Sequence, residues 1–490
     1  SDVCSSDLNV VRVRVYQWDY PEDLEPLKKN VESICRGEQD VLMFTSAHQV
    51  VNLLRFAEDL GCEQTLRASL DRLVVASIGP TTSEMLQHFN LPVDIEANPN
   101  KMGHLVQAAA EKSHRILKAK RFTEQNPSGS GSSTSNQKID RMGPALSKSP
   151  FLQACYRQPS DVTPVWLMRQ AGRYMAEYRA VREKVSFLEL CKNPSLCAEV
   201  MVTAVEKLGV DAAIIFSDLL PILEPMGFHL EFTQGDGPVI HNPIRQAKEI
   251  DRVHVLESME SMSFVTSTVE HTRRALPERI PVIGFSGSPF TLASYMIEGG
   301  ASRNFVHTKS LMLNDPVAWD VLMDKLVRSI ALYLNSQIVA GAQVVQLFDS
   351  WAGCLSPDDY RNRILPHMQR LLESIIPNVP VINFATGNPM LLSCLRGDSR
   401  TVVGIDWRVS LDVGWDMVGP DRAVQGNLDP TVLFSGIETI REHVRRVLDQ
   451  AGGRPGHIFN LGHGILPGTP VEHVVALVDM VHEMSDRRSP

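Results

Sequence analysis

Apolar runs rich in β-branched residues alternate with helix-period stretches along almost the whole chain. Near the start, VVRVRVY (Val10 to Tyr16) predicts a strand and Pro21 to Cys35 a helix. DVLMFTS (Asp40 to Ser46) predicts a second strand, with a helix over Gln49 to Leu60 after it. RLVVASIG (Arg72 to Gly79) predicts a third, with a helix opening at Pro80 to Thr82. VDIEAN (Val93 to Asn98) predicts a short fourth, and Met102 to Phe122 a closing helix. Strand then helix, repeated, means a small α/β unit with a parallel sheet.

The pattern then breaks. Glu124 to Lys138 reads EQNPSGSGSSTSNQK, which has almost no apolar content and cannot offset its own ordering entropy. A flexible linker is expected over 124–144, between a domain at 1–123 and a larger one at 145–490. The larger part resumes the alternation with eight apolar runs: Thr163 to Leu167, Ala212 to Phe216, Pro281 to Phe285, Gln343 to Phe348, Pro380 to Phe384, Val402 to Ile405, Ala423 to Gln425 and His457 to Asn460. Helical stretches such as Cys197 to Leu208, Met259 to Leu276, Asp320 to Ala340 and Pro357 to Ile376 separate them. Eight strands with helical crossovers favour a (β/α)8 TIM barrel. Periodicity leaves a doubly wound sheet open as the alternative.

Composition narrows the function. The 490 residues carry 48 Lys+Arg against 57 Asp+Glu, a formal charge of -9, with 43% hydrophobic and 21% charged residues. That excludes a wholly disordered, collagen-like or coiled-coil chain. Mild acidity without a basic stripe argues against a nucleic-acid partner. An anionic small molecule stays open, because one arginine pair can bind carboxylates whatever the total charge. No apolar run reaches the roughly 18 residues of a membrane span. Eight scattered cysteines match neither a zinc set nor a disulfide scaffold, so a reducing cytoplasm is expected. The start, SDVCSSDLN, has no initiator Met and no basic-then-apolar signal, and the expectation is a processed or truncated N-terminus.

Polar residues gather where the apolar runs of the larger part stop: Arg169 and Arg173, Ser217-Asp218, Tyr295, Asp349-Ser350, Asp406-Trp407, Gln425-Gly426-Asn427 and His463. In a barrel these ends share one rim and face one cavity. Arg169 and Arg173 are four apart. If MRQAGRY opens a helix they lie on one face, either gripping carboxylates or forming an ordinary surface pair. Asp218 is either a site carboxylate or a helix N-cap. Tyr295 and His463, taken alone, read as structural. There is no GxGxxG, phosphate loop, HExxH, GxSxG or paired-cysteine metal motif.

Longer stretches are more specific. PVWLMRQAGRYMAEYR (Pro164 to Arg179), FSDLLPILEPMG (Phe216 to Gly227), GFSGSPFTLASYMIEGG (Gly284 to Gly300), QLFDSWAG (Gln346 to Gly353), GIDW (Gly404 to Trp407), QGNLDP (Gln425 to Pro430) and NLGHGILPGTPVEHV (Asn460 to Val474) together closely resemble uroporphyrinogen decarboxylase, over about residues 147–484. VRVYQWDYPEDLEPL, DVLMFTSAHQVVNLL, ASIGPTTSEML and NKMGHLVQA, over about 8–122, resemble one half of uroporphyrinogen-III synthase. That family builds its site between two α/β domains, and about one is present here. In that resemblance Ser46, Thr81 and Thr82 fall at substrate-contacting positions and Tyr16 at an active-site tyrosine.

The decarboxylase resemblance implies loss of four acetate carboxyls from uroporphyrinogen III as CO2, giving coproporphyrinogen III with no metal or organic cofactor, in a homodimeric cytoplasmic enzyme of haem biosynthesis. It implies that Asp218 receives pyrrole N–H groups and steadies their positive charge. Arg169 and Arg173 bind carboxylates, and one of them donates or positions a proton. Tyr295 orients Asp218 or touches the reacting acetate. Ser350 and His463 bind side-chain carboxylates. Met168, Gln170, Phe216, Phe285 and Phe348 form the wall, and Asp406 is a rim or structural residue. Some members have histidine where this chain has Trp351. Two alternatives remain: a zinc-dependent methyltransferase of the same barrel superfamily, and a non-catalytic protein that binds or channels tetrapyrroles.

Overall fold

The computed structural model describes residues 24–89, 91–97, 99–110, 113, 117, 145–233 and 237–487. The expected strand over Val10 to Tyr16, with Tyr16 itself, and the expected linker lie outside the described residues. The chain divides into two compact units, residues 1–134 and 135–490.

The first unit holds three parallel strands in the order β1 (Val41–Phe44), β2 (Val74–Ser77), β3 (Ile95–Glu96). Helices Ala47–Asp59 and Pro80–His88 follow β1 and β2, as the alternation predicts. A further helix, Glu63–Leu70, was not anticipated. Residues 102–110 are helical. Val41, Val74, Ala76, Ile95, Ala97, Leu105 and Ala109 pack into one core. They come from strand faces and a helix stripe, which is how a small parallel sheet buries its apolar surface.

The second unit is a curled, all-parallel sheet. Its order is β12 (His457–Ile458), β11 (Ala423–Gln425), β10 (Thr401–Gly404), β9 (Val381–Ala385), β8 (Val344–Asp349), β7 (Val282–Gly287) and β4 (Ala213–Ile214). Each strand falls inside or within two residues of a predicted run. The first run, Thr163 to Leu167, makes an isolated bridge instead of a strand, but it occupies the gap. Val165 bridges Phe459 in parallel beside β12, and its carbonyl accepts from Asp211 N (2.8 Å) beside β4. The result is a distorted TIM barrel. Crossover helices carry local start and stop signals: Asn193 Oδ1 caps Leu196 N (3.1 Å) to open Pro194–Leu208, and Gly209 at φ 69° ends it.

Two features depart from expectation. An antiparallel hairpin, β5 (Leu230–Thr233) with β6 (Gly237–Ile240), interrupts the alternation after β4. MRQAGRY is a series of turns, and the helix begins only at Ala176. Arg169 sits at φ 62°, the left-handed region, which a continuous right-handed helix cannot contain. Arg169 and Arg173 therefore do not share a helix face.

Candidate active site

A cavity of about 1330 Å³ opens at the carboxyl ends of the barrel strands. All of the residues predicted for the decarboxylase site line it: Arg169, Arg173, Asp218 and Tyr295, with Met168, Gln170, Phe216, Phe285, Phe348, Ser350 and His463. Ser217 lines it too, whereas Asp349, Asp406, Trp407, Gln425, Gly426 and Asn427 do not. Asp349 is fully buried and Gln425 lies in the barrel interior. Asn427 Nδ2 donates to the carbonyls of Asp406 (2.9 Å) and Val409 (2.7 Å). Asp406 accepts from Gly387 N (2.7 Å) and from Arg408 N (2.9 Å) and Nη1 (2.6 Å), which makes it structural.

The floor is a buried polar chain. Trp166 Nε1 donates to Gln425 Oε1 (2.8 Å), Gln425 Nε2 to Gln346 Oε1 (3.3 Å), and Gln346 Nε2 to the Met168 sulfur (3.6 Å). Linked groups of this kind fix one arrangement of the interior. Met168 is held from a second side: its N–H donates to Asn460 Oδ1 (3.2 Å) and its carbonyl accepts from Ile465 N (3.0 Å). These contacts clamp the Arg169 turn against the NLGHG loop. Gly464 completes the clamp, because a Cβ there would meet Arg169 Cδ at 2.5 Å.

Asp218 follows β4 on a short turn. Its Oδ1 accepts from Leu220 N (3.0 Å), an Asx turn rather than the cap of a helix. Burial at the bottom of the cleft pushes its carboxyl up to about 6, although bonds from the Leu220 and Leu219 N–H groups and the Arg169 charge oppose the shift. The side chain is half-buried by surface area, so it stays reachable from the cavity. Burial and the Asp218 charge hold the Tyr295 phenol protonated. Burial first, then the charges of Arg169 and Arg408, pull His463 below its ordinary value. The cleft thus places one carboxylate, one neutral phenol and one weakly basic imidazole around an arginine, with Arg173 beside them.

Aromatic rings form the walls. Phe348 meets Phe285 edge-on (5.6 Å) and Phe384 edge-on (6.3 Å). On the other side Phe216 contacts Tyr178 (5.6 Å) and Phe187 (6.2 Å), and Phe187 contacts Phe232 (4.9 Å). Sequence reasoning missed Tyr178, Arg182, Lys184, Phe187 and Phe232, all of which line the cavity. Phe232 was within reach, since Asp236-Gly237 between two apolar runs is a hairpin signal. Trp351 also lines the cavity and stacks on Tyr295 with ring centroids 3.9 Å apart.

The family model described as "Uroporphyrinogen decarboxylase (URO-D)" matches residues 146–484, and that of "Uroporphyrinogen-III synthase HemD" matches residues 4–107. The uroporphyrinogen decarboxylase of Sorangium cellulosum is 52% identical over 335 residues, covering 68% of this chain and 96% of the relative. That of Roseiflexus sp. is 50% identical over 346 residues, covering 69% and 99%. Among solved structures, a methyltransferase from Methanosarcina mazei superposes with a TM-score of 0.58 at 21% identity, covering 69% of this chain and 98% of that one, a likeness of fold alone. With its barrel matched end to end at half identity and the expected side chains gathered in one cleft, the chain belongs to the uroporphyrinogen decarboxylase family, with a synthase-like segment ahead of the barrel.

Proposed function

We propose that this protein removes the four acetate carboxyls of uroporphyrinogen III as CO2, giving coproporphyrinogen III in haem biosynthesis. The observation that carries the reading is the family match combined with one carboxylate, Asp218, set among Arg169, Arg173, Tyr295 and His463 in a single cavity. That cavity exceeds the roughly 300–1,000 Å³ of ordinary small-molecule sites, as a macrocycle bearing acetates and propionates requires.

Losing CO2 leaves an electron pair that needs a sink. A pyrrole protonated at its α carbon is one. The C–CO2 bond breaks, its electrons enter the cationic ring, a proton then reaches the exocyclic carbon to make the methyl group, and the α-carbon proton leaves to restore the pyrrole. The chain supplies charge placement for these steps. Asp218 accepts the pyrrole N–H groups and offsets the ring's positive charge while ionised. Arg169 and Arg173 grip carboxylates. An arginine with its usual high pKa is a poor acid, so proton delivery runs through a water ordered by that arginine. Tyr295 remains a neutral donor beside Asp218 and the reacting acetate. Ser350 and His463 bind peripheral carboxylates, and Met168, Gln170, Phe216, Phe285 and Phe348 hold the ring.

The same reading takes residues 1–123 as a synthase-like domain, 124–144 as a linker and 145–490 as the decarboxylase, in the cytoplasm. Seven described cysteines are free thiols, which suits a reducing compartment. Among the described residues no helix is long and apolar enough to cross a membrane. A homodimer through the barrel is part of the proposal. Val317 (74% exposed) and Val321, four apart on the helix Pro316–Val339, with Leu313 just before them, give the barrel an apolar surface to cover. The test is anaerobic incubation of the folded protein with uroporphyrinogen III. CO2 and coproporphyrinogen III are expected, and a folded protein releasing no CO2 refutes the reading.

A further inference from the structure

Asp349 ends β8, next to the cavity-lining Ser350, yet its side chain points the other way and is 0% exposed. A carboxyl taken out of water needs partners, and Asp349 has them on two sides. Oδ1 accepts from Thr291 Oγ1 at 2.8 Å. Oδ2 faces the buried Tyr360 hydroxyl without a well-formed hydrogen bond. Neither atom has a well-formed hydrogen bond among the described residues, each group shifts the other's ionisation, and the Thr291 backbone N–H also favours the charged carboxylate. Burial pushes the Asp349 carboxyl up to about 7.

Thr291 links this acid to the site. Its Oγ1 donates to Asp349 and accepts from Trp351 N at 3.3 Å. Thr291 and Tyr295 are four apart on the helix Pro289–Glu298, so they share a face. That face meets the end of β8 twice: Thr291 on Asp349, and the Tyr295 ring on the Trp351 indole at 3.9 Å. Phe305 backs the indole at 5.0 Å. Two contacts one helical turn apart fix both the rotation and the height of the helix that delivers the phenol. Without the first, the tilted ring contact alone would let the phenol shift over the indole.

We infer that Asp349 is a positioning residue for Tyr295, acting through the Thr291 hydroxyl and the Trp351 stack to hold the phenol beside Asp218. The inference rests on the decarboxylase reading, and its test separates the two. Thr291→Val and Thr291→Ala remove the hydroxyl, the second without demanding space, should valine fail to pack. Thr291→Ser retains it.

In the full chain both hydroxyl-less variants should lose about tenfold in kcat with KM nearly unchanged, as one misplaced polar contact in the transition state does. Thr291→Ser should stay near wild type. Near-UV circular dichroism reads the Tyr295–Trp351 stack without substrate. The signal that Trp351→Phe removes should weaken in Thr291→Val and Thr291→Ala and persist in Thr291→Ser. Unchanged kcat in the folded hydroxyl-less variants overturns the inference. So does a loss confined to KM, or an equal loss in Thr291→Ser. If wild type releases no CO2, the decarboxylase reading fails by itself. The dichroism then decides whether Thr291 sets the stack, and an unaltered signal rejects it.

Discussion

Replacing Gly464 with alanine tests the central arginine without touching it. Gly464 lies outside the left-handed region, so alanine accepts its backbone. The new methyl would stand 2.5 Å from Arg169 Cδ, 2.8 Å from Cγ and 3.0 Å from Nε. Carbon pairs rest at about 3.5–4.0 Å, so the arginine stem must shift by about 1 Å. Arg169 is exposed to the cavity and can swing outward, which keeps the fold's loss near the low end of overpacking, about 1 kcal/mol. Catalysis is less forgiving. A group displaced by about 1 Å costs on the order of 100-fold, or about 2.7 kcal/mol, in kcat/KM.

A second signature follows from charge. The Arg169 guanidinium holds Asp218 below where burial alone would put it. Moving that cation away raises the carboxyl further, so the acid limb of the pH–rate profile should move to higher pH in Gly464→Ala. The assay is anaerobic CO2 release across pH, with thermal unfolding as a folding check. Gly436→Ala, where a Cβ meets nothing within 4 Å, is the control. A folded Gly464→Ala protein within twofold of wild type, or with an unmoved acid limb, would show that the clamp does not set the position of Arg169.

Asp218→Asn keeps the shape and removes the charge. It should cost on the order of 10²–10³-fold in kcat, as loss of a preorganised electrostatic partner does, and single-turnover kinetics would register it. Because Asp218 works ionised and its carboxyl is pushed up to about 6, wild-type kcat should fall as pH drops through about 6. A flat profile to about pH 5 contradicts this. His463 is pulled below its usual value and is neutral in the empty cleft near neutrality, so gripping a carboxylate there takes up a proton. KM should then rise with pH, and His463→Gln should flatten that slope. His482 titrates in the opposite sense. Burial would lower it, but its 2.8 Å bond to Asp211 Oδ2 and that group's charge raise it overall. Asp211 Oδ2 also accepts from Val165 N (2.7 Å), where the barrel closes. The stabilisation is therefore complete below the unfolded value and lost as pH rises through the raised one. His482→Ala should lose about 1 kcal/mol in acid and less in alkali by urea unfolding.

What could be read from the residues divides along a physical line. The strands were legible because a parallel sheet covered on both faces is written as continuous Val/Ile-rich runs. VVQLFD and VINFA fit no amphipathic helix or exposed loop. Thr163 to Leu167 reads the same way but folds as a bridge, because strand pairing depends on neighbours distant in sequence. The turn at MRQAGRY was not legible for a related reason. Its spacing suits a helix, and only contacts from the far end of the chain, Asn460 and Ile465 on Met168, impose the left-handed Arg169.

The cavity's composition was legible at strand ends, where the barrel's geometry makes location predictable. It was illegible where the wall comes from elsewhere, as with Arg182 at the end of the short helix Ala176–Arg182. Asp349 marks the limit of the strand-end rule. Successive residues of a strand point to opposite faces. Phe348 and Ser350 line the cleft, so Asp349 between them must point away, and the rule that gathers polar strand ends at one rim selects every second residue. The acid turned inward is then available to the helix behind, where Thr291 meets it one turn from Tyr295. Alternation thus gives adjacent positions of one strand separate tasks, contact with the ligand at Ser350 and support of a neighbouring element at Asp349.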